Sequence, residues 1–176
     1  MPQAAPLEAW HDFFMMIGTA SATLIGAMFV VVSIGMGFLN RKRSVAIRTF
    51  LTPTVTHLST VLLICALTMV PVLGEAWLAA IAGVAGLAGI AYSGRVIRGF
   101  RQHEGTDRSD WFWYAIFPPF GYALLFAAAI SALALRMAIV SVELLAAALG
   151  LLLIAGIRNA WDMILFFVML DRSPVD

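Results

Sequence analysis

The sequence predicts an all-α integral membrane protein: a bundle of five transmembrane helices with the N-terminus outside and the C-terminus cytoplasmic. An interfacial or protruding extension should end the last helix. Three observations lead there. The 176 residues are 62% hydrophobic and 12% charged, where soluble domains average about 25% charged, and the mean hydropathy is +0.95. Apolar stretches recur along the whole chain, each long enough to cross a hydrocarbon core of ~30 Å. Lys and Arg gather in alternate connections between them.

The spans are read at about 13–39, 49–72, 76–97, 111–135 and 137–157, the last helix continuing to about 170, within one transmembrane domain covering 1–176. Backbone donors and acceptors cannot stay unpaired in lipid, so the spans should be helical. Barrel-type alternation of apolar and polar residues is not seen. The segment "MPQAAPLEAWHDFF" carries no Lys or Arg before the first apolar run. That run is longer than a signal-peptide core and is read as a retained span.

Charge placement sets the orientation. Arg41, Lys42, Arg43 and Arg48 follow span one, and Arg95, Arg98, Arg101 and Arg108 follow span three. Basic residues stay on the cytoplasmic side. An outside N-terminus then leaves all but Arg136 and Arg158 of the 11 Lys and Arg in the cytoplasm. Tryptophan prefers the headgroup level. Trp10 and Trp77 fall at outer boundaries, and Trp111, Trp113 and Trp161 at inner ones. Pro118–Pro119 should separate a short interfacial helix from span four, whereas Pro53 sits near the start of span two, where proline is tolerated.

Small residues let helix backbones approach in lipid. Gly18, Ala22 and Gly26 recur at steps of four in span one, and Gly86 and Gly89 belong to a similar face in span three. Both faces suit packing within the chain or between subunits.

Polar residues within the spans are the candidates for function. Thr49, Thr52, Thr56, Ser59 and Thr60 share one side of span two at about 100° per residue. Such a stripe can line a hydrated path, bond back to its own carbonyls, or hold a neighbouring helix. His57 lies on the same helix, and an ionisable residue at that depth is either a proton or ion handler or a hydrogen-bonded packing residue. Glu143 in span five must pair, reach water or take a proton. It shares a helical face with Ala147, Gly150, Ile154, Arg158 and Trp161, a face expected to point into the bundle or an assembly. Arg158 and Asp162 are spaced for an i,i+4 pair. With Asn159 and Trp161 they read as an inner-boundary anchor or a docking site for another helix or a lipid phosphate.

Cys65 is the sole cysteine and reads as a small buried hydrophobe. Metal-ligand spacings, nucleotide loops and hydrolase motifs are missing, so neither a metal nor a cofactor nor catalysis is expected. A net charge of +1 gives no footprint for nucleic acid.

The run "FFMMIGTASATLIGAMFVVVSIGMGF" followed by a basic loop, with the later "RNAWD", resembles small, functionally uncharacterised bacterial polytopic inner-membrane proteins. The resemblance implies a multi-pass bacterial inner-membrane location and no activity. Two functional expectations follow. One is a non-catalytic subunit or accessory component, a homo-oligomer or part of a larger membrane complex, packing through its small-residue faces. The alternative is a small oligomeric ion or proton channel or transporter lined by the Thr/Ser stripe, His57 and Glu143.

Overall fold

A computed structural model of the chain describes residues 4–35, 43–70, 72–100 and 111–171. Among these residues all regular structure is helical: α1 (Ala4–Ala9), α2 (His11–Gly35), α3 (Arg43–Thr68), α4 (Glu75–Phe100), a π-helical turn (Trp111–Ile116), α5 (Phe117–Leu133) and α6 (Ala138–Asp171). Three helices are long and apolar enough to cross a membrane, over His11–Ser33, Glu75–Arg98 and Ala138–Leu165. Two shorter apolar helical stretches cover Thr52–Thr68 and Phe117–Leu133. The connections at 36–42 and 101–110, which hold Arg41, Lys42, Arg101 and Arg108, lie outside the described residues.

Long helix α6 is the hub. It packs against α5, α3 and α2, while α4 packs mainly on α5 and only lightly on α3. At ~1.5 Å per residue its 34 residues run ~50 Å. The charged pentad at 158–162 therefore sits inside a continuous helix. The central core is fully enclosed, with Phe14, Leu58, Val61, Ile64, Leu125, Leu149 and Leu152 all at 0% exposure. Met28 of α2 and Ala160 and Met163 of α6 make a second, smaller cluster. Large apolar side chains also cover the outside, among them Phe29 (65% exposed), Val84 (69%) and Ile139 (65%). An outer surface this apolar is what lipid contact requires and water contact penalises.

Close approach explains how such helices hold together. A Cβ at Gly18 would meet the Cys65 Cβ at 2.9 Å, joining α2 to α3. One at Gly86 would meet the Phe126 backbone nitrogen at 2.8 Å, and one at Gly89 would enter the Tyr122 ring, both between α4 and α5. Gly156 likewise makes room for Leu58 between α6 and α3. The α2 stripe divides: Gly18 is buried, but Ala22 and Gly26 face outward, and nothing lies within 4 Å of a Cβ at Gly26. A buried hydrogen bond from the Ser21 hydroxyl to the Leu58 carbonyl, 2.7 Å, adds to the α2–α3 contact.

Among the described residues, a six-residue π-helical turn (Trp111–Ile116) precedes the prolines. The π-helical turn runs straight into α5, whose first turn contains Pro118 and Pro119. Proline fits there because first-turn N–H groups have no partner within the helix. At the other end Arg136 takes a left-handed φ of 51°. The Met137 N–H then turns back to the Ser131 carbonyl at 2.9 Å, satisfying a terminal acceptor. That conformation costs a non-glycine residue about 1–2 kcal/mol. Helix α1 is an addition that the sequence did not signal. It leads through Trp10, whose ring meets Phe13 edge-on at 5.4 Å.

Gly89→Ala should lower the unfolding free energy by about 1–3 kcal/mol, because the Tyr122 ring must move. Gly26→Ala should leave it nearly unchanged. Thermal unfolding in one detergent compares the two, and equal effects would contradict the assigned faces.

Candidate functional site

Four helices bring polar side chains to one buried point. Helix α3 supplies Thr56, His57 and Thr60, α4 supplies Tyr92 and Ser93, α5 supplies Tyr122, and α6 supplies Asn159. The His57 Nδ1 and the Tyr122 hydroxyl are 2.9 Å apart, and their ring centres are 5.5 Å apart. His57 is 2% exposed and Tyr122 1%. Gly89 admits the Tyr122 ring beside α4, so the packing glycine and the polar pair are one construction.

Proton bookkeeping orders the cluster. The Thr56 hydroxyl donates to the Thr52 carbonyl at 2.7 Å, and the Thr60 hydroxyl to the Thr56 carbonyl at 2.9 Å. Their oxygens remain acceptors. Tyr92 shares a side-chain hydrogen bond with Thr56, and Tyr122 one with Thr60. A phenol has a single proton. The bond between His57 Nδ1 and the Tyr122 hydroxyl runs in the direction set by the imidazole tautomer: with the phenol proton on Thr60, Nδ1–H is the donor.

Beside it lies a void of about 10 Å³ lined by Pro53, His57, Tyr92, Ser93, Val96, Pro118 and Asn159, near the size of about one water. Asn159 is 0% exposed and Ser93 3%. Neither the Asn159 amide nor the Ser93 hydroxyl hydrogen-bonds to the described residues. Buried amides without partners cost about 1–3 kcal/mol. The centre therefore offers unspent donors and acceptors to a small polar guest. Among the described residues no three His, Cys, Asp or Glu side chains gather as a metal site.

The hydroxyl stripe sits at the rim of this centre. Thr52 and Ser59 are exposed and Thr56 and Thr60 half-buried, and the Thr49 side chain is outside those described. Glu143 is elsewhere. It lies 16 residues before Asn159 on α6, ~24 Å along the helix, so His57 and Glu143 do not share a site in one chain. The Glu143 face points outward and away from the bundle: Ile139 is 65% exposed, Ile154 46% and Trp161 55%, with Glu143 and Ala147 exposed among them. Arg158 and Asp162 form an ion pair of 3.1 Å at the half-buried edge of that face. Asn159 is turned inward, so the pentad is divided between the surface and the core.

Tyr92 and Tyr122 belong to the centre without having been singled out in the sequence. The signal for Tyr122 was a phenol inside the apolar run "GYALLFAAAI", since a buried Tyr hydroxyl needs a partner. No family model, curated protein or solved structure matches this chain.

Tyr122→Phe and His57→Ala should each destabilise the protein, with a coupling of about 0.6 kcal/mol and no more than about 1.7 kcal/mol, as for hydrogen bonds between membrane helices. A double-mutant cycle on thermal unfolding measures it. Additive effects would show that the two side chains do not interact.

Proposed function

We propose that this chain is a non-catalytic, multi-pass component of a membrane assembly, built from copies of itself or joined to a larger complex. It crosses the bilayer five times, with α6 carrying the contact face. The proposed setting is a bacterial inner membrane with the arginine-rich connections in the cytoplasm, as the distribution of Lys and Arg favours.

The observation that carries the reading is the outward direction of Glu143. It stands on the exposed side of α6, between Ile139 and Ile154, and forms no ion pair with another described residue. Ionisable side chains within membrane helices almost always face the bundle interior or water, since exposure to lipid costs about 2.5–3.5 kcal/mol at mid-membrane and less near the boundary. A Glu turned away from its own bundle is accommodated if that side of α6 is interior to something larger. The open faces at Ala22 and Gly26 on α2 give a second surface for close approach.

A second reading, movement of protons or small polar species, draws support from the unspent Asn159 and Ser93 groups beside His57. It would use the buried centre of each chain. Flux across proteoliposomes that falls in both His57→Ala and Tyr122→Phe supports it, and silent wild-type protein removes it.

For the assembly reading, Glu143→Leu should reduce the particle mass in lipid nanodiscs to that of a single chain. Thermal stability of the chain should hold, because position 143 is exposed. Glu143→Gln should retain part of the association. Wild-type protein that is already single, or a Glu143→Leu particle of unchanged mass and composition, would refute the reading.

A further inference from the structure

A cavity lies at the other end of the bundle from the His57 centre. Helices α4 and α6 begin there and α5 ends there. Its volume is about 380 Å³, within the range of about 300–1,000 Å³ typical of small-molecule sites. Alanines such as Ala82, Ala128 and Ala132 make the walls, and Leu7 of α1 touches one side. Short side chains from three helices leave a slot too large for any of them to fill.

The mouth is not apolar. Glu75 and Arg136 both line the cavity and both are exposed. Neither forms an ion pair with a described residue, although they border the same opening. Arg136 is also the residue held at a φ of 51°. Strained non-glycine residues concentrate at sites where a side chain must be aimed.

An apolar slot with separate positive and negative groups at its mouth matches an amphiphile whose headgroup carries both charges. We propose that the cleft holds one acyl chain of a zwitterionic phospholipid bearing a primary ammonium group. Arg136 takes the phosphate and Glu75 the ammonium. A simple anion is disfavoured by Glu75. A quaternary ammonium headgroup cannot donate a hydrogen bond to the carboxylate. The inference does not rest on the assembly reading, because no cavity residue belongs to the Glu143 face.

Native mass spectrometry of protein reconstituted with equal amounts of phosphatidylethanolamine, phosphatidylcholine and phosphatidylglycerol, all of one acyl composition, tests it. Wild-type protein should retain one phosphatidylethanolamine about tenfold over the other two, the value of one charge-assisted hydrogen bond. Glu75→Gln should remove the preference over phosphatidylcholine while binding persists. Arg136→Gly, which suits the left-handed turn, should weaken retention of all three lipids. Ala132→Leu should exclude lipid by filling the slot, with circular dichroism reporting an intact fold. Equal retention of the three lipids by wild-type protein would overturn the proposal. So would retention unaffected by both charge substitutions, or a second protein chain occupying the cleft.

Discussion

Lipid gives an apolar side chain no reason to leave it. The force that collapses a soluble domain is missing between helices in a bilayer, so association depends on shape and on the few polar groups present. The architecture is organised around that constraint. Backbone polar groups are satisfied within each helix. The helices then meet where a missing side chain lets them touch: Gly18 on Cys65, Gly86 and Gly89 on α5, and Gly156 on Leu58. With 34 residues, α6 is long enough to serve as the common surface for three neighbours.

The polar centre follows from the same geometry. Gly89 has no side chain, so the Tyr122 ring can lie against α4 and reach His57 on α3. Helices α3 and α4 otherwise touch lightly, and hydroxyl and imidazole groups lie along their meeting line. A polar seam thus runs between two helices that small residues and apolar packing leave loosely joined. The cleft at the far end arises where α4 and α6 diverge over the alanines of α5.

The helical class and the positions of the long helices were legible because length and absence of charge are properties of a segment by itself. The runs that open near residue 13, at 76 and at 137 contain the helices long enough to cross a membrane. The i,i+4 relation of Arg158 and Asp162 was equally local. What could not be read was which side of a helix faces which neighbour. In water, an apolar stripe marks the interior. In α6 both sides are apolar, with Leu149 buried and Ile154 exposed, so the pattern carries no inside and outside. The Glu143 face was expected to point into the bundle or an assembly and Asn159 had no assigned direction, and the structure turns Glu143 away from its own bundle and Asn159 inward. The pairing of His57 with Tyr122 spans 65 residues and depends on a glycine in a third helix. The α2 stripe shows the same limit, because Gly18 and Gly26 share a face by spacing yet only Gly18 meets a neighbour.

The proposed five-fold crossing puts the α5–α6 turn on the opposite side of the membrane from the basic connections. Cysteine labelling with a membrane-impermeant maleimide tests it most directly, since the native Cys65 is buried at 2% exposure and should stay silent. A cysteine at Arg136 should be tagged in intact spheroplasts, while cysteines at Lys42 and Gly105 should be tagged only after the membrane is opened. Tagging at 42 from outside, or tagging of 42 and 136 from the same side, would contradict the account.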